Sequence, residues 1–111
     1  MSVYREEIIF NNLEIRDTNS YNSSIADTGG YIYKTIIIEN SLNQSVTLQC
    51  KGSANSDFSN NFDVGDSFVI NNNTNAYQTC DSHLPYFRIT AVCSSAPASG
   101  NLKVILSKYS M

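Results

Sequence analysis

Alternating apolar and polar residues define a strand in the segment "YIYKTIIIEN", residues 31 to 40. One face of this segment carries Ile32, Lys34, Ile36 and Ile38, and the other carries Tyr31, Tyr33, Thr35 and Ile37. A period of two is typical of a β-strand and not of a helix. Residues 46–51 alternate in the same way after the turn-forming segment "ENSLNQS". The two segments are therefore predicted to pair as a hairpin.

The C-terminal part of the chain repeats this pattern. Phe87, Ile89, Ala91 and Cys93 share one face of a strand that begins after Pro85, where a missing N–H does little harm. The segment "SSAPASG" separates this strand from the alternating residues 102–107. These two strands are predicted to form a second hairpin.

Weaker strand signals fill the rest of the chain. Gly65 indicates a turn before a short strand at 67–70, Tyr77 marks a brief edge strand, and "EIIFNNLEI" supplies one or two more. With about six to eight short strands and no amphipathic helix, the pattern predicts an antiparallel β-sandwich, jelly-roll or immunoglobulin-like, and a small barrel as second choice. Residues 1–30 form an N-terminal arm or strand with a polar loop, and residues 31–111 form the core of the same single domain.

Composition narrows the function classes. The 111 residues suffice for one core, and the net charge of −3 comes from acids and bases scattered without a Lys/Arg cluster. Binding to nucleic acid through phosphates is therefore not expected. The acidic N-terminus and the lack of an apolar run of about 18 residues predict a protein made in the cytoplasm, without a signal peptide or membrane span.

Cys80 and His83 have a spacing that could chelate a metal, but a closed zinc site needs four ligands. Cys50 and Cys93 alternate with core residues, which favours buried apolar roles for both. A catalytic Cys80–His83 pair lacks an orienting third group. The odd number of cysteines, without a signal peptide, predicts reduced thiols. We therefore expect no catalytic, metal-binding or cofactor-binding residue, and no enzyme.

An oxygen-rich segment, "SDFSNNFDVGD", contains Asp57, Asp63 and Asp66. Its spacing does not match the calcium loop of an EF-hand, so a solvated loop is the favoured interpretation.

Apolar residues that the strand pattern leaves without an obvious partner are candidates for protein contacts. Both faces of the strand at residues 31–38 are apolar, which is typical of a covered strand or of a subunit contact. The apolar positions of the N-terminal segment are a second source. The candidate interface residues are Val3, Ile8, Phe10, Leu13, Ile15, Tyr31, Tyr33 and Ile37.

Two stretches, "TIIIENSLNQSVTLQCKG" (residues 35–52) and "LPYFRITAVCSSAPASGNLKVILSK" (residues 84–108), resemble small β-sandwich accessory proteins of tailed bacteriophage particles. The resemblance covers about half of the chain. It implies a non-enzymatic structural protein of the virion, in a capsid-decoration, neck or tail position. It also implies a homo-oligomer that contacts other virion proteins.

The alternative hypothesis is a carbohydrate-binding module. Exposed tyrosines and the loops at 55–66 and 71–75 would then bind sugar rings and hydroxyl groups. The lack of tryptophan weakens this hypothesis. A small hydrolase or metal enzyme that uses Cys80 and His83 is the third.

Overall fold

The protein is an all-β chain of ten strands in the computed structural model, which describes residues 3–110, with the side chain of Val3 outside the described part. The strands are β1 (Val3–Leu13), β2 (Tyr21–Asn22), β3 (Ala26–Asp27), β4 (Tyr33–Asn40), β5 (Val46–Ser53), β6 (Asn61–Asp63), β7 (Phe68–Ile70), β8 (Thr74–Thr79), β9 (Tyr86–Val92) and β10 (Leu102–Ser110).

Two antiparallel sheets face each other across one core. Sheet A has the order β1-β10-β4-β8, and sheet B has the order β2-β9-β5-β6. In sheet B, β2 and β3 both pair with β9, and β6 and β7 both pair with β5. Each of these pairs occupies one strand position, so the fold has eight positions. This strand order is that of a jelly roll, which confirms the predicted antiparallel β-sandwich.

Both predicted hairpins are wrong. β4 pairs with β10 and β8 in sheet A, while β5 pairs with β9 in sheet B. Likewise, β9 and β10 belong to different sheets. Alternation identifies a strand and its inward face, but the inward face is apolar whether the next strand lies beside it or in the opposite sheet. In this chain both connections cross between sheets.

Hydrogen bonds of Asn40 fix the connection from β4 to β5 where it crosses from sheet A to sheet B. The fully buried Asn40 donates its amide N–H to the carbonyl oxygen of Asn71 at 3.0 Å, and its Oδ1 accepts the N–H of Leu42 at 3.1 Å. The second crossing packs against the first through Gly100, which has a φ of +85°. A Cβ on residue 100 would lie 1.9 Å from the carbonyl oxygen of Ser41, so this close approach requires glycine.

The core fills the space between the sheets. Fully buried side chains of β4, β5, β9 and β10 interdigitate there, and each contributes roughly 1.5–3 kcal/mol on burial. They include Ile36, Ile38, Val46, Leu48, Phe87, Ile89, Val104 and Leu106.

A disulfide between Cys50 and Cys80 joins the two sheets, which corrects the prediction of three reduced thiols. The N–H of Cys80 donates to the carbonyl oxygen of Lys34 at 2.8 Å, so the backbone follows β4 past the end of β8. Cys80 is therefore buried opposite the inward-facing Cys50, with their Cα atoms 6.5 Å apart. Cys93 is free and buried, as expected, and burial raises the pKa of its thiol.

Candidate interaction surface

The register of sheet A aligns an apolar row across all four strands. Ile8 of β1 lies beside Ile105 of β10, Ile105 beside Ile37 of β4, and Ile37 beside Tyr77 of β8. Ile37 and Ile105 alternate with the buried residues of β4 and β10 and so point away from the core, and their register partners Tyr77 and Ile8 lie on the same outer face. These four residues are called the isoleucine–tyrosine row. Ile8 is 47% exposed and Tyr77 is 74% exposed.

A second row on the same face consists of tyrosines. Tyr4 of β1 lies beside Tyr109 of β10, and Tyr109 lies beside Tyr33 of β4. The rings of Tyr33 and Tyr109 are stacked with centroids 5.0 Å apart and an interplanar angle of 17°. Stacking restricts the orientation of these two rings, and Tyr4 remains 55% exposed.

Polar residues separate and flank the two apolar rows. The row between them contains Glu6, Ser107, Thr35 and Thr79, and the row beyond the isoleucines contains Lys103, Glu39 and Asn75. Together the four rows form the outer face of sheet A. Contiguous apolar surface bordered by polar residues is characteristic of protein interaction sites.

Three of the candidate interface residues from the sequence, Ile8, Tyr33 and Ile37, lie on the outer face of sheet A. Tyr31 precedes β4, and its half-buried ring lies over Lys108 with the ammonium 5.1 Å from the ring centroid. Tyr31 therefore contacts an inward-pointing side chain. The backbone of Val3 belongs to β1, and its side chain lies outside the described residues.

The other N-terminal candidates are directed toward the core. Phe10 is 5% exposed and Ile15 is fully buried, so the folded chain does not offer either as a contact residue. Leu13 is half-buried and packs against the core. A register shift in β1 between Ile8 and Phe10 turns both Ile9 and Phe10 inward, which an alternating pattern does not predict.

The contact candidates predicted from the sequence do not include Tyr4, Ile105 or Tyr109, and Tyr77 is predicted only as part of a brief edge strand. Ile105 alternates with the core residues Val104 and Leu106, which is a visible signal that it points outward. Its alignment with Ile8 and Ile37 depends on strand partners far away in sequence, so the row itself had no local signal.

Two lysines are buried side by side at one end of sheet A. Lys34 and Lys108 are cross-strand neighbours on the inner face. Lys108 donates from Nζ to Oε1 of Glu7 at 2.8 Å and to the carbonyl oxygen of Asp27 at 2.5 Å. Lys34 donates from Nζ to the carbonyl oxygen and the hydroxyl of Ser82. Burial lowers the pKa of Lys34, and the neighbouring Lys108 charge adds to this effect, while Asp81 opposes it.

The segment around Cys80 and His83 offers no free thiol. Cys80 is engaged in the disulfide, and His83 is exposed. Within residues 3–110, no three His, Cys, Asp or Glu side chains come together as metal ligands.

The acidic loop is solvated. Asp57 accepts the N–H of Ser59 at 3.0 Å, and this hydrogen bonding lowers the pKa of the Asp57 carboxyl group. Asp63 pairs with Lys51 at 2.9 Å. No helix long and apolar enough to span a membrane occurs in the described part of the chain.

No protein-family model matches the sequence, and the curated proteins contain no match. The fold is similar to the PBSX exported protein XepA, with a TM-score of 0.74, 14% identity, and coverage of 94% of this chain and 36% of XepA. The chain thus spans about a third of the length of XepA.

It is also similar to the SPBc2 prophage-derived protein YomS, with a TM-score of 0.65, 12% identity, and coverage of 99% and 96% of the two chains. A third similar structure is that of Bacillus endospore appendages, described as disulfide-linked pili, with a TM-score of 0.61, 12% identity, and coverage of 99% and 89%. The resemblance to phage β-sandwich proteins is confirmed at the level of the fold.

Proposed function

We propose that this chain is a non-enzymatic structural protein of a phage-like particle and that it acts through protein–protein assembly. The observation that carries the proposal is the outer face of sheet A, where the isoleucine–tyrosine row extends across all four strands. Covering such a surface with a partner is favourable by roughly 25 cal/mol per Å² of apolar area removed from water. The likeness in fold to a prophage-derived protein and to pili supports an assembly role.

The partners in this proposal are further copies of the chain and other virion proteins, and the place of action is the virion. A capsid-decoration, neck or tail-accessory position is compatible with a small rigid sandwich. The disulfide between Cys50 and Cys80 supports a site of action outside a reducing cytoplasm, because disulfides persist on virion and cell surfaces. Synthesis in the host cytoplasm is then followed by oxidation.

The experiment is a comparison of gradient-purified particles from cells that make the wild-type chain or an altered one. We expect mass spectrometry to find the wild-type chain in a constant ratio to the major shell protein. Ile37→Glu places a charge in the middle of the isoleucine–tyrosine row, so this variant is expected to be soluble but at least tenfold depleted from particles.

Val69→Glu is the matched control, because Val69 is an exposed valine of sheet B, 61% accessible, and lies outside the proposed contact face. Absence of the wild-type chain from particles would overturn the proposal, and hits on a glycan array would then favour the carbohydrate-binding alternative.

A further inference from the structure

We infer that a second copy of this chain covers the outer face of sheet A, related to the first by a two-fold axis that runs parallel to the strands between β10 and β4. The inference deepens the proposed function by naming the partner of the same surface. It rests on the order and register of the four strands of sheet A.

The strand order makes the face complementary to itself. A two-fold axis at this position places β10 of one copy over β4 of the other, and β1 over β8. Each row of residues then faces the same row of the second copy. Ile105 lies opposite Ile37 of the other copy, and Ile8 lies opposite its Tyr77. The isoleucine–tyrosine row is thus covered along its whole length by apolar side chains.

The charges on this face match under the same operation. Lys103 of β10 comes to lie opposite Glu39 of the other copy's β4, and the symmetry generates this pair twice. Within residues 3–110 the ion pairs are Lys51–Asp63 and Lys108–Glu7, so neither Lys103 nor Glu39 is engaged in one. An axis perpendicular to the strands would place β10 over β10, and it would bring Lys103 opposite Ser107 without a charge partner.

The size of the face is sufficient for a weak but specific dimer. Four strands about 4.8 Å apart and about eight residues long cover about 500 Å² in projection. Two copies together would bury about 1,000 Å² if the face is treated as flat, and the uneven surface of the side chains adds to this area. This value is near the lower limit for a biological interface. We therefore expect a dissociation constant in the micromolar range.

A charge-reversal experiment in trans tests this arrangement. Lys103→Glu alone places two glutamates opposite each other on either side of the axis, and Glu39→Lys alone places two lysines there. Each single variant is expected to self-associate at least about tenfold more weakly than the wild type, because like charges face each other. When the two variants are mixed, every pair is complementary again, and light scattering should show a heterodimer.

The mixing experiment separates contacts between chains from contacts within one. Lys103 and Glu39 are also cross-strand neighbours in the same chain, where a like-charge pair costs roughly 0.2–1 kcal/mol, and mixing cannot repair that cost. If either variant fails to fold, Tyr77→Glu at the most exposed position of the row provides the second test. It is expected to abolish the dimer and leave the circular dichroism spectrum unchanged.

A wild-type chain that stays monomeric at millimolar concentration would overturn the inference. So would a mixture that associates no more strongly than either variant alone, for example because two β8 edges pair instead. The proposed function would survive either result if the wild-type chain is still recovered in particles, and it would fail separately if the chain dimerises but is absent from them.

Discussion

Lys34 is a charged residue in an environment that disfavours its charged form. It sits between Ile36 and the start of β4 on the inner face, and its whole side chain is buried. Its ammonium group donates to the neutral oxygens of Ser82, and within residues 3–110 it forms no ion pair with a carboxylate. The charged form is therefore disfavoured in the folded state, which is why the pKa of Lys34 lies below its ordinary value.

The lowered pKa of Lys34 predicts a specific pH dependence of stability. Below its folded-state pKa the lysine is protonated in both states, and the full cost of the buried charge is present. Between that pKa and the ordinary value of about 10.4, the unfolded chain binds more protons, so the stability contributed by this residue rises with pH. Lys34→Met should be within about 1 kcal/mol of the wild type at pH 7, or more stable.

Urea denaturation from about pH 7 to about pH 10 measures this effect as the difference between wild type and variant. The free energy of unfolding of the wild type should rise relative to that of Lys34→Met across this range. The difference cancels the opposing contribution of Cys93, whose raised pKa is common to both proteins. Lys51→Met, at a lysine paired with Asp63 near the surface, is the matched control. A difference that does not change with pH would show that folding does not lower the pKa of Lys34.

For single residues, the prediction of which side chains point inward depended on the local period of two. Alternation correctly placed Leu48, Phe87 and Ile89 inside the fold. It failed at Phe10, because a register shift in β1 interrupts the period of two. Alternation put Lys34 on an otherwise apolar face but gave no reason for a charged residue at that position. The reason is the hydrogen bonds that its ammonium group donates to Ser82, a residue far away in sequence.

At the scale of elements, the disulfide joins strands that hydrogen bonds leave unconnected. Cys50 belongs to β5 of sheet B, and Cys80 directly follows β8 of sheet A. The disulfide joins residues 30 positions apart and so closes a loop that contains β6, β7 and β8. The bond reduces the conformational freedom of the unfolded chain, and in the folded chain it anchors the edge strand of sheet A to the opposite sheet.

The double variant Cys50→Ala/Cys80→Ala should lose about 3–4 kcal/mol of unfolding free energy, the amount expected for a loop of this length. Chemical denaturation with and without a reducing agent tests the prediction. Reduction should lower the stability of the wild type by a similar amount and should leave the double variant unchanged. Cys93→Ala controls for the free thiol and should retain the response to the reducing agent. Equal stability of wild type and double variant would refute the disulfide.

The sequence was informative about which segments are strands and uninformative about their partners. β4, β5, β9 and β10 all occur where alternation predicts them, and the edge position of β8 was also predicted correctly. The hairpins were wrong because the crossings at Leu42 and Gly100 have compositions that also suit tight turns. Partner choice in a jelly roll depends on contacts between distant segments, which a single sequence does not display.

At the scale of the molecule, the jelly roll converts scattered residues into one continuous surface. Ile8, Ile37, Tyr77 and Ile105 come from four separate parts of the chain and meet only because sheet A has the order β1-β10-β4-β8. The sequence indicated three residues of this face, Ile8, Tyr33 and Ile37. It could not indicate that they share the face with stacked tyrosines or that Lys103 and Glu39 flank them.

Hydroxyl-radical footprinting of the chain, free at high dilution and assembled in particles, measures directly whether the outer face of sheet A is covered on assembly. We expect that Tyr77, 74% exposed in the isolated chain, becomes at least fivefold less reactive on assembly, together with Tyr4 and Ile8. Phe62 of sheet B, which is 60% exposed, should keep its reactivity. Unchanged reactivity of Tyr77 in the particle, or protection of Phe62 instead, would show that the outer face of sheet A is not the surface through which this protein assembles.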